Sequence, residues 1–365
     1  MDAAGTGSLS AQLQQRVRTA IQLNGGWLPF DRFMSMALYE PDLGYYASGS
    51  RKFGLMPASG SDFATAPEMT PLFARALAVQ LEQALQASDT AEIWEFGAGS
   101  GALAAQLLGE LGGRLRAYHI VELSAALRAR QVRHLQPWAG QVHWHERLPP
   151  RIDGVVLGNE VLDAMPVQLL HWDGQHWFER GVANAEGRFV WLDRASLLRP
   201  PVADGFVPGT VVETHAQAHA FVRTLAAHMG RAVAFFIDYG FPEAEYYHPQ
   251  RSGGTLMCHR AHRVDDDPLE DVGLKDISTH LNFSGLALAA QEAGLEVLGY
   301  TSQGRFLINC GLPQLMQGAS LQNAVAAQRL IHEHEMGELF KVIAFARGLS
   351  FDALGFCSGD RCHRL

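Results

Sequence analysis

A glycine-rich turn between an apolar strand and an apolar helix restricts the fold of this chain more than any other feature. The predicted strand covers residues 91–96, and the turn EFGAGSG at 95–101 leads into a helix that ends near Leu111. Glycine lets the backbone turn sharply and approach a ligand closely, and the first N–H groups of the following helix are free to bind it. The turn therefore predicts an α/β sheet with a nucleotide-like cofactor at this edge.

The alternation of strands and helices continues along the chain. Further buried strands are predicted at residues 117–122, 142–145, 154–158 and 232–237. Closing strands are predicted at residues 295–300, 305–311 and 339–346. This alternation is typical of a parallel sheet with helical crossovers, so the expected fold class is α/β with about five parallel strands.

Two amphipathic helices are predicted before this region. Apolar residues recur every four positions over residues 9–21 and again over 73–85. Between them, residues 39–71 are rich in glycine, serine, proline and aromatic residues, and so long a loop in a compact domain is often functional. We expect a helical N-terminal segment, 1–90, and an α/β domain, 91–365.

Two insertions are expected within the α/β domain. The first, residues 168–212, has aromatic residues interrupted by Asp173-Gly174 and Glu186-Gly187, a pattern that predicts β-hairpins. The second, residues 241–285, is expected to be mostly loop.

Composition excludes several classes of protein. Hydrophobic residues make up 47% of the chain, as in globular proteins, and the formal charge of −9 without a dense basic run argues against a nucleic-acid partner. No apolar run approaches the ~20 residues that cross a bilayer, so membrane insertion is not expected. The scattered cysteines predict no metal site. The start of the sequence has no signal core or arginine-rich leader, which favours a bacterial cytoplasmic location.

A glutamate at the end of the second predicted strand supports a cofactor site. The carboxylate of Glu122 can accept hydrogen bonds from both ribose hydroxyls of a nicotinamide dinucleotide or of S-adenosylmethionine, and the glycine turn fits either cofactor. The sequence has no Tyr-x-x-x-Lys pair, no Gly-x-Ser-x-Gly elbow and no His-Glu-x-x-His motif. Their absence argues against one dehydrogenase type, an α/β-hydrolase and a zinc protease.

Carboxylates are the candidate catalytic groups beside these strands: Glu68, Glu160, Asp163 and Asp238. Methyl transfer requires alignment and charge stabilisation, and a cationic guanidinium acceptor needs carboxylates that bind its donors and take up its proton. The segment NEVLDAMP at 159–166 is also compatible with a simple helix start, in which an asparagine is the cap and acids interact with the helix dipole.

In these motifs the chain resembles the MidA family of class I S-adenosylmethionine-dependent methyltransferases. The matching segments are 43–46 (LGYY), 62–68 (DFATAPE), 95–101, 159–166, 237–240 (IDYG), 254–256 (GTL), 276–280 (DISTH) and 336–342 (MGELFKV). The resemblance implies a Rossmann-like sheet of seven strands, with the N-terminal segment and both insertions over the cofactor edge. It also implies S-adenosylmethionine as cofactor and a protein substrate, since the mitochondrial member methylates an arginine of a respiratory complex I subunit.

The resemblance further implies roles for single residues. The cofactor-binding residues would be Thr65, Pro67, Glu95, Gly97, Gly99, Gly101, Glu122 and Asn159, with the glycines at the methionine part and Glu122 at the ribose. The catalytic residues would be Glu68, Glu160 and Asp163, of which the last two would face the acceptor. Asn282 replaces an aspartate that is common in the family, a loss that would affect the acceptor.

Two other functions stay open. The chain would also suit an assembly factor that binds S-adenosylmethionine and a partner without catalysis, with the aromatic insertions as the docking surface. A small-molecule methyltransferase is the third hypothesis, and the size of the acceptor distinguishes it from the first.

Overall fold

The computed structural model describes residues 3–48, 65–260 and 263–365; residues 62–64 of the predicted DFATAPE motif lie outside these ranges. The helices are α1 (Ala3–Leu23), α2 (Phe30–Tyr39), α3 (Ala66–Met69), α4 (Leu72–Ser88), α5 (Ala102–Leu111), α6 (Ala125–His134), α7 (Ala216–His228), α8 (Glu243–Tyr246), α9 (Phe283–Glu292), α10 (Gln303–Asn309), α11 (Leu312–Gln317), α12 (Leu321–Ile331) and α13 (Met336–Leu339).

The strands are β1 (Leu28–Pro29), β2 (Glu92–Phe96), β3 (Ala117–Val121), β4 (Val142–His145), β5 (Ile152–Asn159), β6 (Gln168–Trp172), β7 (Trp177–Ala185), β8 (Arg188–Ala195), β9 (Val211–Thr214), β10 (Met229–Phe241), β11 (Met257–Arg260), β12 (Arg263–Asp265), β13 (Asp276–Ser278), β14 (Leu281–Asn282), β15 (Glu296–Ser302) and β16 (Phe340–Arg347).

The central sheet has seven strands in the order β15-β16-β10-β5-β2-β3-β4, and the short β14 pairs with the end of β10. The five predicted parallel strands, β2, β3, β4, β5 and β10, are confirmed, and β16 runs antiparallel to both of its neighbours. In β5 and β10 consecutive residues are buried because helices cover both faces of the sheet. The α/β fold class is therefore confirmed.

Each face of the sheet has its own hydrophobic core. On one face, Leu77 of α4 and Leu107 of α5 belong to the same cluster as Phe235 of β10. On the other, Val222 of α7 and Leu286 of α9 pack with residues of the same strands. This leaves the carboxyl ends of the parallel strands as the edge at which ligands bind in such sheets.

The first insertion forms the predicted hairpins. Strands β6, β7, β8 and β9 pair antiparallel, and β1 joins them as a fifth strand. The tight turns at Gly174 and at Glu186-Gly187 have positive φ angles, which glycine accommodates best.

The second insertion is more ordered than predicted. Residues 241–285, expected to be mostly loop, contain α8, β14 and a three-stranded sheet of order β12-β11-β13. These strands are two to four residues long, too short for a visible alternation of apolar and polar residues.

One predicted closing strand is wrong. Residues 305–311 lie largely in α10, whose cap residue Ser302 accepts a hydrogen bond from the Arg305 N–H at 3.4 Å. The buried residues Phe306, Leu307 and Cys310 have the spacing of one helix face. In the sequence, however, so short an apolar run does not distinguish a helix from a strand. The predicted strands at 295–300 and 339–346 are confirmed as β15 and β16.

The two predicted N-terminal helices are confirmed as α1 and α4, and α2 was not predicted. Leu13 and Val17 of α1 pack with Phe33 of α2 and with Leu169 of the first insertion. In contrast, α4 belongs to the core of the central sheet. The division of the chain at residue 90 stays a prediction. Within the described ranges, no helix combines the length and apolar character that crossing a membrane requires.

The packing of α1 predicts a stability effect. Leu13 is fully buried, so Leu13→Ala should lower the free energy of unfolding by about 2–5 kcal/mol because it leaves a cavity between α1 and the insertions. The exposed neighbour Gln12 offers a matched control, Gln12→Ala, for which we expect little change. Urea unfolding of both variants tests this, and equal stabilities would contradict the packing of α1.

Candidate active site

A cavity of about 1430 Å³ lies at the carboxyl ends of β2, β3, β5 and β10. Its wall includes the glycine turn, the segment after β5 and parts of the N-terminal segment. Residues of the second insertion and of the helices α7, α12 and α13 also line it. The site therefore combines the ligand-binding edge of an open α/β sheet with segments from other parts of the chain.

The glycine turn adopts a conformation that other residues rarely take. Gly97, Gly99 and Gly101 have φ angles of +65°, +52° and +83°. A Cβ atom on Gly97 would lie 2.8 Å from Cγ2 of Val161. The turn therefore depends on glycine both for its φ angles and for its close approach to the segment after β5.

Glu122 follows β3 and is held on both oxygens. Its Oε1 accepts from the Ser124 N–H at 2.8 Å, and its Oε2 accepts from Nε2 of Gln131 at 3.0 Å. The same Nε2 donates to the carbonyl of Gly99 at 3.0 Å. Gln131 thus ties the glycine turn to Glu122, a link that no sequence signal indicated.

Glu95, the next predicted cofactor residue, lines the cavity at the end of β2. Its carboxylate accepts a hydrogen bond from Oη of Tyr118 at 2.8 Å. Burial raises the pKa of Glu95 to about 7, although the bond from Tyr118 opposes this rise.

Asn159 and Glu160 begin the segment after β5. Nδ2 of Asn159 donates to Oε1 of Glu160 at 3.0 Å, while the buried Oδ1 of Asn159 has no hydrogen-bond partner among the described residues. Glu160 has a φ angle of +53°, unusual for a residue with a side chain. Burial, followed by the charge of Asp163, raises the pKa of Glu160 to about 8, and a bond from the Ala66 N–H opposes it.

Asp163 lies three residues later and also lines the cavity. Oη of Tyr239 donates to its Oδ2, and its buried Oδ1 has no partner within the described part of the chain. Burial raises the pKa of Asp163 to about 6, against the effect of the Tyr239 bond.

Asp238 is fully buried and holds this segment in place. Its Oδ2 accepts from the N–H groups of Leu162 at 2.9 Å and of Asp163 at 3.2 Å, and its Oδ1 accepts from the Tyr239 N–H at 2.9 Å. Burial, and then the charge of Asp163, raises the pKa of Asp238 well above its usual range. The sequence-predicted acid Asp238 therefore supports the site without lining it.

The segment around α3 approaches the glycine turn from the N-terminal side. Thr65 and Pro67 line the cavity, as predicted. Glu68 accepts a hydrogen bond from Oγ of Ser100 in the glycine turn and is absent from the described residues that line the cavity. The structure thus brings Glu160 and Asp163 together and places Glu68 against the turn.

Three further residues of the wall, Tyr39, Tyr46 and Asp276, form hydrogen bonds between distant segments. Oη of Tyr46 donates to Oδ1 of Asp276 at 2.8 Å, and Oη of Tyr39 donates to the Ala164 carbonyl at 2.9 Å. All three lie in or beside motifs that the sequence analysis singled out, but no role was predicted for them. Their contacts join segments more than 100 residues apart, which sequence spacing does not indicate.

Asn282 does not line the cavity. Its Oδ1 accepts from the Gly285 N–H at 3.1 Å and caps α9. The expected effect of this residue on the acceptor therefore has no support from a direct contact. Among the described residues, no group of three or more His, Cys, Asp or Glu side chains has the geometry of a metal site.

Comparison with known families agrees with this geometry. Residues 72–301, more than half of the chain, match the model of a family described as "Putative S-adenosyl-L-methionine-dependent methyltransferase". The chain is also similar to the protein arginine methyltransferase NDUFAF7, mitochondrial, of Danio rerio, with 28% identity over 83% of this chain and 78% of that protein. The homologue from Caenorhabditis elegans is 23% identical over 77% of this chain and 72% of its own length.

A solved structure shows the same fold throughout. A crystal structure from Burkholderia thailandensis, bound to S-adenosyl-homocysteine, is 47% identical and has a TM-score of 0.96. The alignment covers 100% of this chain and 99% of that one.

The glycine turn gives a paired prediction. Gly97→Ala should lower the free energy of unfolding by more than about 1 kcal/mol and weaken S-adenosyl-homocysteine binding, because the new Cβ is strained and meets Val161. Gly109→Ala, in α5 and with nothing within 4 Å, should instead be neutral or stabilising by about 0.5–1 kcal/mol. Denaturant unfolding measures the stability of both variants, and calorimetry measures their binding of S-adenosyl-homocysteine. Equal stability and equal binding in the two variants would contradict the requirement for glycine at position 97.

The raised pKa of Glu160 predicts a pH-dependent stability. A carboxyl group whose folded pKa is about 8 rather than 4.5 stabilises the protein at low pH, and this stability is lost as the pH rises through 8. Glu160→Gln cannot ionise, so its stability relative to the parent should rise by more than about 1 kcal/mol between pH 5 and 9. Unfolding at several pH values tests this, with exposed Glu270→Gln as the control. A difference that is constant with pH would show that Glu160 titrates normally.

Proposed function

Since the chain belongs to the MidA family of S-adenosylmethionine-dependent methyltransferases, we propose that it methylates arginine side chains of proteins. The observation that carries this proposal is the pair Glu160 and Asp163, two carboxylates of one segment on the wall of the cofactor cavity, of which Asp163 is buried. The buried Oδ1 of Asp163 has no donor among the described residues, and such an oxygen suits a cationic acceptor better than a neutral one.

The residues of the cavity fit S-adenosylmethionine. We propose that Gly97 and Gly99, which line the cavity, contact its methionine part, and that Glu122 accepts hydrogen bonds from its ribose. Gly101, predicted with them, is absent from the described residues that line the cavity and would act through the conformation of the turn. The unpartnered Oδ1 of Asn159 can accept a bond from its ammonium group. The predicted cofactor residues Thr65, Pro67 and Glu95 line the same cavity.

When bound, S-adenosylmethionine supplies an electrophilic methyl group on its sulfonium sulfur. The protein has to align an acceptor nitrogen with that group and accommodate the change in charge. A guanidinium is cationic at all physiological pH values, and its methylation replaces one N–H bond by an N–CH3 bond. One proton therefore has to leave the reacting nitrogen, while the methylated guanidinium product stays cationic. On this proposal Glu160 and Asp163 orient the guanidinium and accept that proton.

The acceptor itself would help these acids to ionise. A positive charge within hydrogen-bond distance lowers the pKa of a carboxyl group, and here it would oppose the rise that burial causes at Glu160 and Asp163. The structure supports a role for Glu68 in holding the glycine turn through Ser100; a direct catalytic role for it stays a prediction.

The acceptor protein is proposed to be a subunit of respiratory complex I or a similar protein. The support is the family resemblance together with the relatives that are named protein arginine methyltransferases. A cytoplasmic location is proposed with it, in line with the four cysteines, all of which are free thiols.

The test is methyl transfer by the purified protein. Methyl-labelled S-adenosylmethionine is incubated with lysate of cells that lack the gene, and proteins are separated from small molecules. A labelled protein whose modified residue is arginine, identified by mass spectrometry, is the expected result. Label in small molecules alone would favour a small-molecule methyltransferase. Cofactor binding without any transfer would favour the non-catalytic assembly factor.

The two acids should be separable from cofactor binding. Glu160→Gln and Asp163→Asn should each lower the rate of transfer at least about 100-fold, in the range of lost acid–base catalysis, while S-adenosyl-homocysteine binding stays within about two-fold. Asp266→Asn, an exposed acid of the second insertion, should behave like the parent. Unchanged transfer in both site variants would rule out their assignment to the acceptor.

A further inference from the structure

We propose that Asp276 is a third acceptor-binding carboxylate, which together with Glu160 and Asp163 surrounds the cationic acceptor group. This inference rests on the proposed function and assigns part of the acceptor site to the second insertion. Glu160 and Asp163 come from the segment after β5, whereas Asp276 begins β13.

Asp276 is buried but lies on the wall of the same cavity. Only 4% of it is exposed, and its register partner in β11 is His259, which also lines the cavity. Oη of Tyr46 donates to Oδ1 of Asp276 at 2.8 Å, and the Tyr46 carbonyl accepts from Oγ of Ser124 at 3.0 Å. The carboxylate is therefore fixed in orientation by a segment that also contacts the cofactor side.

The electrostatics place Asp276 near Glu160. Burial is the main cause of the raised pKa of Glu160, and the charges of Asp163 and then of Asp276 add to it. The same charge of Asp276 also raises the pKa values of Tyr39 and Tyr46, after burial. The backbone agrees, because the N–H of Thr279, three residues after Asp276, donates to the Asp163 carbonyl at 3.0 Å. Three carboxylates from two separate segments thus line one part of the cavity wall.

An independent feature is a buried carboxylate oxygen that has no donor among the described residues. Asp163 is 6% exposed, and its buried Oδ1 accepts no hydrogen bond from the described residues. No lysine or arginine in the described ranges forms an ion pair with Glu160 or Asp163. A buried acceptor of this kind is costly unless a donor reaches it, and a cation is the donor that several acids favour.

A guanidinium fits three carboxylates better than an ammonium does. It presents five N–H donors in one plane, directed to several sides, whereas an ammonium presents only three donors. Asp276 belongs to a different element, so it can bind donors that Glu160 and Asp163 leave free. The third carboxylate therefore selects for a planar cation.

The experiment compares acceptor use with cofactor binding. Asp276→Asn keeps the size of the side chain and removes its charge. We expect it to lower kcat/KM for the labelled lysate protein about 10- to 100-fold, as for the loss of a charge-assisted hydrogen bond. Binding of S-adenosyl-homocysteine should change less than about two-fold, which shows that the site is folded. Asp266→Asn is the matched control from the same insertion.

A second variant and a cation probe separate binding from general disturbance. Tyr46→Phe keeps the charge of Asp276 and removes only the hydrogen bond from Tyr46, so the loss in kcat/KM should be smaller than that of Asp276→Asn. N-ethylguanidinium should inhibit labelling by the parent protein, and its inhibition constant should rise about ten-fold in Asp276→Asn.

The outcomes distinguish this inference from the proposed function. If the parent methylates arginine and Asp276→Asn does so equally well with an unchanged inhibition constant, Asp276 does not bind the acceptor, and the proposed function stands. If the parent labels no arginine although it binds S-adenosyl-homocysteine, the proposed function fails and the role of Asp276 fails with it. Loss of S-adenosyl-homocysteine binding in Asp276→Asn would also overturn the inference, because it would place the residue at the cofactor.

Discussion

The carboxylate of Asp238 fixes the segment on which the candidate site depends. It is fully buried and accepts hydrogen bonds from three backbone N–H groups, two of which belong to Leu162 and Asp163. These bonds join the end of β10 to the segment after the neighbouring strand β5. Without these bonds, the backbone N–H groups of Leu162 and Asp163 would be buried and unpaired. Each unpaired N–H group would lower the free energy of unfolding, and a short irregular segment has few other contacts to offset this loss. The position of Asp163 therefore follows from a residue that does not line the cavity.

The order of the strands explains why the cofactor and acceptor sides meet. The glycine turn follows β2, the acidic segment follows β5, and these two strands are neighbours at the centre of the sheet. From β2 the chain continues towards β3 and β4, and from β5 towards β10, so the connections leave in opposite directions and open a crevice. The N-terminal segment and the second insertion then cover this crevice, with Tyr46 and Asp276 joined across it.

The sequence predicts best what short-range patterns determine. The glycine turn, the parallel strands and the helices α1 and α4 follow from local spacing, and all are present. The strand predicted at residues 305–311 was wrong because a short apolar run does not distinguish a strand from a helix. The contact between Tyr46 and Asp276 was not predictable in this way, since it depends on the pairing of β13 with β11. The predicted residues Glu160 and Asp163 lie together because both belong to the short segment after β5. The roles assigned to them stay predictions.

The burial of the acids couples the chemistry of the site to its occupancy. In the free protein, a pKa of about 8 keeps Glu160 mostly protonated at neutral pH, so the cluster avoids the full repulsion of several charges. Under the proposed function, an entering guanidinium neutralises the Glu160 carboxylate in place of this proton. Glu160 therefore becomes an ionised base only when its substrate is present. The same low-dielectric surroundings that make isolated charges costly make this exchange favourable. A more exposed carboxylate would be ionised both in the free and in the substrate-bound protein. Its charge would therefore not depend on whether the site is occupied.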